Sequence, residues 1–182
     1  ELSEISLSEK DVLLVSGGAK GITAECVLAL AKETNVKLAL LGTSDCQKNR
    51  EVSINLERLR ASNINFKYYS NDITDKDAVK TVVQNIEKDL GKITGIFHCA
   101  AKNEPILVQN LDESKINETL SVKIDGLKNL LSAFDTSQLK IFVTFGSIIA
   151  RTGLQGESAY GLANEWLTDL TKNFQDENPN CC

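Results

Sequence analysis

The sequence predicts an α/β fold, a Rossmann-like doubly wound parallel sheet with helices on both faces. Three observations carry this. Short apolar runs alternate with longer stretches of helical periodicity. Most runs are continuously apolar, as strands buried on both faces must be. A glycine-rich turn joins the first run to the first helix.

Taken in order, "DVLLVSG" (11–17) is the first expected strand, followed by a helix over "GITAECVLALAKET" (21–34). "VKLALLG" (36–42) precedes a helix over 47–62, and "INFKYYS" (64–70) precedes one over 74–91. In that third helix Val79, Val82, Val83, Ile86 and Leu90 fall on one face. Thr74 and Asp112 stand where N-caps are expected. "ITGIFHCAA" (93–101) is the fourth strand, "DESKINETLSVKIDGLKNLLSAF" (112–134) one long helix, "KIFVTFG" (140–146) the fifth strand, and 158–173 the last helix. Residues 1–10 are expected to be a linker and 11–182 the folded unit. Strand 140–146 would be a bare apolar edge. A partner or further chain is expected to cover it, so the sheet reads as truncated after the fifth strand and its helix.

Composition narrows the function. The net charge of −5 and the lack of a basic cluster argue against a nucleic-acid surface. No apolar run approaches the roughly 18 residues of a membrane helix. The opening "ELSEISLSEK" has no signal-peptide pattern and no initial Met, so the chain reads as excised from something longer. The five cysteines include no C-x-x-C pair, which indicates neither disulfides nor zinc and points to a reducing cytoplasm. Cys181 and Cys182 read as a tail without redox role, and His98 as a packed strand residue.

"VSGGAKGITAE" (15–25) follows a strand and opens a helix, the setting of a dinucleotide phosphate loop. Gly17 permits the tight turn, Gly18 adds room, and Gly21 lets the helix N-terminus approach a pyrophosphate. The second strand ends in Gly42-Thr43-Ser44, without the carboxylate that binds a ribose 2′-hydroxyl. Lys20 in the loop suits a 2′-phosphate, with Thr43 and Ser44 as hydrogen-bond donors. The pattern favours NADPH over NADH.

Ser147 ends the fifth strand, and Tyr160 follows near the start of a helix. Beside a nicotinamide, a phenol can protonate a carbonyl oxygen that a serine hydroxyl orients. A free phenol titrates near 10, too high for efficient transfer at neutral pH unless an ammonium stands nearby. The position four residues after Tyr160 holds Asn164, not lysine.

The glycine loop, "FHCAA" and the Ser147–Tyr160 pair resemble the short-chain dehydrogenase/reductase superfamily. The chain is most similar to ketoreductase domains of modular polyketide synthases and polyunsaturated-fatty-acid-type synthases, over about residues 10–180. In those domains the lysine and asparagine of the common superfamily arrangement are exchanged. "SVKIDGLKNLL" supplies Lys123, and "YGLAN" supplies Asn164. The resemblance implies that Lys123 lowers the phenol's pKa and holds the nicotinamide ribose, while Asn164 supports the proton relay. It places Asp72 and Ile73 beside the adenine, and Ile22, Cys99, Ala100 and Ala101 along the cofactor. It implies NADPH-dependent reduction of a β-ketoacyl thioester on an acyl-carrier protein, among other synthase domains. Thr43 replaces the arginine common at its position. "KNEPILV" (102–108) lacks the Leu-Asp-Asp signature, and no tryptophan precedes Tyr160, so product configuration stays open. A non-catalytic or incomplete ketoreductase-like domain is the alternative. An epimerase or dehydratase of the extended family is a third reading, which Asn164 disfavours.

Overall fold

Val12–Ser16 is buried at every position and becomes the central strand, β1, of the computed structural model, which describes residues 6–182. The elements follow in βα alternation. Helix α1 is Gly21–Thr34, β2 Lys37–Gly42, α2 Arg50–Ala61, β3 Phe66–Ser70, α3 Lys76–Leu90 and β4 Ile93–His98. Helix α4 (Glu113–Leu120) runs through a π turn (Ser121–Asp125) into α5 (Gly126–Ser132); β5 is Ile141–Thr144, α6 Ile149–Thr152 and α7 Ser158–Glu177. The sheet order is β3-β2-β1-β4-β5, with all pairs parallel. The expected doubly wound sheet is what forms.

Alternation along the strands builds two cores. Leu13, Val15, Leu38 and Leu40 pack with Val27 and Ala31 of α1 and Leu56 and Leu59 of α2. Val12, Leu14, Ala39, Leu41 and Ile96 face Val79, Val83 and Ile86 of α3, Leu127 and Leu130 of α5, and Leu167 and Phe174 of α7. At 20–33 cal/mol per Å² of apolar area, each fully buried Leu or Ile contributes about 1.5–3 kcal/mol.

Four local expectations are corrected. The N-cap of α3 is Asp75, whose carboxylate accepts from Asp77 and Ala78 N–H; Thr74 instead donates to Asp72. A carboxylate is the better acceptor there and complements the helix dipole. The expected helix 112–134 is interrupted by the π turn, which helical periodicity does not reveal. Strand β4 stops at His98, because Cys99 and Ala100 turn their N–H groups onto Ser16. The β5 edge is not bare at its start. Phe142 N–H donates to the Cys182 carbonyl (2.8 Å), and Cys182 N–H to that of Lys140 (3.0 Å). Cys181 is buried against this core, so the pair is structural; all five cysteines are free thiols. Among the described residues no helix is long and apolar enough to cross a membrane.

Candidate active site

Parallel strands bring every carboxyl end to one edge, where ligands bind in such sheets. A cavity of about 910 Å³ lies there, and the cofactor residues expected from sequence line it with one exception. Gly17, Lys20, Gly21, Ile22, Thr43, Ser44, Asp72, Ile73, Cys99, Ala100 and Ala101 all contribute to its wall, with Lys123 and Tyr160. The exception is Gly18, a correction to its expected role. A Cβ there would lie 2.7 Å from Val15 Cγ1 and 2.8 Å from Leu40 Cδ2, so Gly18 seats the loop on β1 and β2 and gives the ligand no space.

Gly17 has φ +74°, and a Cβ on it would meet the backbone of Ala100 at 3.1 Å. The turn and the end of β4 are thereby drawn together. Positive φ in a side-chain-bearing residue and the backbone contact both oppose substitution. Gly17→Ala is expected to cost about 1–3 kcal/mol. A thermal melt should read this as a drop of at least ~2 °C, and a dinucleotide titration as weakened binding.

The loop after β2 is held by a residue sequence reasoning missed. Tyr68 OH donates to the Ser44 carbonyl (2.7 Å) and lies under Gly42, where a Cβ would come within 3.0 Å of it. Glu51 was also missed: its carboxylate accepts from Gly21 N–H at 2.9 Å. The N-terminus of α1 thus already presents an amide to an anion, as a phosphate loop must. The glycine turn, the close Gly17–Ala100 approach and this amide fit a nicotinamide dinucleotide.

At the other end of the cavity Lys123 is 1% exposed, the opposite of an ordinary surface lysine. It sits in the π turn, a helix irregularity frequent at functional sites. Gly126 lets that segment press on Ile73, since a Cβ there would lie 2.6 Å from Ile73 Cδ1. Lys123 Nζ donates to the Phe145 carbonyl (2.7 Å) and stands 5.6 Å from the Tyr160 ring centroid. Burial pushes the Lys123 ammonium down to about 8. Burial likewise drives the Cys99 thiol up to about 12, which removes it as a nucleophile at neutral pH.

Tyr160 also lines a second cavity of about 200 Å³, walled in part by Asn103, Ile106, Leu111 and Ala159. Asn164 is fully buried and donates to the Tyr160 carbonyl at 2.7 Å, while its Oδ1 finds no partner. It braces the first turn of α7 from within. Ser147 follows cavity-lining Gly146, but its hydroxyl accepts from Ile149 N–H at 3.3 Å. The structure therefore brings Lys123 and Tyr160 together, and does not join Ser147 to them by a hydrogen bond.

The KR domain family matches residues 12–180. This chain belongs to it. KR domains are ketoreductases of polyketide synthases, oxidoreductases of short-chain dehydrogenase/reductase fold. Among curated relatives, the hybrid PKS-NRPS synthetase xenE of Xenoacremonium sinensis is 30% identical over 131 residues, 71% of this chain and 3% of that protein. Polyketide synthase PksN of Bacillus subtilis is 28% identical over 160 residues, 87% of this chain and 3% of that protein. The KR domain described here thus spans a small fraction of these relatives' length. An N-terminal ketoreductase from the macrolactin assembly line superposes with TM-score 0.85 at 27% identity, covering 94% of this chain and 35% of that one. NAD⁺-bound xylitol dehydrogenase shares the KR domain's fold, with TM-score 0.81 at 24% identity over 92% of this chain and 65% of that one.

Proposed function

We propose that this KR domain reduces the β-keto group of an acyl thioester carried on an acyl-carrier protein, with NADPH as reductant. One observation carries the reading. A buried ammonium, Lys123, is held over the ring of Tyr160 at the carboxyl end of the strands, in the wall of the cavity that the glycine loop also lines.

A nicotinamide bound in that cavity would supply the hydride that the β-carbon takes up. Tyr160 gives its hydroxyl proton to the carbonyl oxygen, which becomes the alcohol. Lys123 stabilises the phenolate left behind and binds the nicotinamide ribose. Ser147, released from Ile149 N–H, orients the carbonyl oxygen, and Asn164 keeps the start of α7 rigid. The smaller cavity beside Tyr160 receives the acyl chain. Lys20, Thr43 and Ser44 take the 2′-phosphate, and Asp72 and Ile73 border the adenine. Free thiols suit a reducing cytoplasm.

The test is oxidation of NADPH, and of NADH in parallel, with a β-ketoacyl thioester. Turnover with a clear NADPH preference is expected. Lys20→Ala should narrow that preference about tenfold, equivalent to ~1.4 kcal/mol. Cofactor binding without turnover would instead favour a non-catalytic domain.

A further inference from the structure

His98 is the fully buried imidazole of this chain, and the reduction just described gives it no task. It ends β4 directly beneath the π turn. Nε2 lies 2.9 Å from the Lys123 carbonyl oxygen, and Nδ1 lies 2.8 Å from Ser16 Oγ. A carbonyl can only accept, so Nε2 carries the proton and donates. The neutral ring then offers its Nδ1 lone pair to the Ser16 hydroxyl, which donates in turn. Ser16 Oγ accepts from Cys99 N–H (3.2 Å) and Ala100 N–H (3.3 Å), whose residues line the large cavity. Ser16 is 1% exposed and His98 fully buried, so the bond between them is shielded from water.

We infer that His98 is the positioning residue for the ammonium: its Nε2–H anchors the Lys123 carbonyl, and this holds the π turn that aims Nζ at Phe145 and Tyr160. The inference rests on the catalytic role given to Lys123 above. A buried ammonium on a flexible four-carbon stem is drawn toward water, and lysine has no geometry of its own to resist. The backbone must resist instead. A π turn is a rare conformation, and a one-residue change of ladder swings side chains by roughly 100° around the helix axis. A fixed hydrogen bond from the sheet to the carbonyl of Lys123 itself opposes that change. A neutral ring keeps both bonds, whereas an imidazolium would turn its Nδ1–H on a Ser16 Oγ that already accepts from Cys99 and Ala100 N–H. Burial, with the Lys123 charge beside it, drives His98 down to about 4, so it stays neutral through the working range. The other titratable groups brought against the ammonium are Cys99 and Tyr160.

Two substitutions separate the two bonds of the ring. In His98→Gln the side-chain amide reaches the place of Nε2 and can still donate to Lys123. In His98→Asn the amide reaches only the place of Nδ1 and keeps Ser16 alone. With the full chain, His98→Gln is expected to stay within about threefold of wild-type kcat. His98→Asn is expected to lose at least about tenfold, with the alkaline limb of the pH profile moved upward as Lys123 gains water. A folded His98→Asn with wild-type kcat and profile overturns the inference, as does equal loss in both variants. If Lys123→Met is inactive while His98→Asn is normal, the inference alone fails. If Lys123→Met is as active as wild type, the catalytic reading fails first. Where the variants do not fold or turnover is lacking, the chain's one histidine gives a single assignable imidazole. An Nε2–H form that stays neutral from ~pH 5 to ~8 supports the anchor, and an Nδ1–H form or titration near ~6.5 overturns it.

Discussion

Tyr160→Phe is expected to lower kcat for β-ketoacyl reduction by about 10²–10⁴, the usual contribution of a positioned proton donor. Dinucleotide binding should survive almost unchanged. The ring, half-buried between the two cavities, still fills its place in α7, and only the hydroxyl is lost. No hydrogen bond of the fold uses that hydroxyl as donor or acceptor among the described residues, so the melting temperature should hold as well. Stopped-flow turnover beside a fluorescence titration of NADPH reads both outcomes. A variant that turns over normally would remove Tyr160 from the chemistry.

Lys123→Met is expected to separate function from stability. Without the ammonium the phenolate loses its electrostatic support, and kcat should fall by about 10²–10³, in the range found for loss of one preorganised electrostatic group. Stability should move the other way. A single buried ammonium, bonded to the Phe145 carbonyl and facing no carboxylate in hydrogen-bond reach among the described residues, costs folding energy that an apolar side chain of similar length avoids. The melting temperature at pH 7 should therefore hold or rise. The sign with pH follows from the direction of the shift. Folding lowers the lysine from 10.5 to about 8. Between those values the unfolded chain binds the extra proton, so wild-type stability relative to Lys123→Met should increase as pH rises through that window. Thermal melts of the pair across it read the difference, and a large loss of stability in Lys123→Met at pH 7 would make the lysine structural.

The fold was legible because most strands are short, continuously apolar runs set between longer stretches of helical periodicity. β1, β2 and β4 sit where both faces are covered, and the runs are continuous there for that reason. The candidate site was legible as residue types, less so as geometry. Lys123 is embedded in "SVKIDG", which reads as a solvent-facing turn of helix, and only the π turn carries it inside. No periodicity shows such a turn, because it is set by partners far along the chain, His98 below and Ile73 beside Gly126. Gly18 was misread for a similar reason: its neighbours Val15 and Leu40 belong to two strands, and their approach is a matter of sheet packing. Tyr68 and Glu51 were missed because each acts on a loop other than its own. The Cys181–Cys182 tail was undervalued because edge pairing follows from where α7 delivers the chain, not from the residues themselves.

We propose the Lys123–Tyr160 pair as the proton-delivering unit of a dinucleotide-dependent ketoreductase. The direct measurement is kcat/KM against pH for NADPH-dependent reduction of a β-ketoacyl thioester, in wild type and in Lys123→Met. Wild type should lose activity along an alkaline limb near pH 8, where the lysine sheds its proton. Lys123→Met should be slow at every pH and lack that limb. Equal rates with superimposable profiles in the two proteins would contradict the claim.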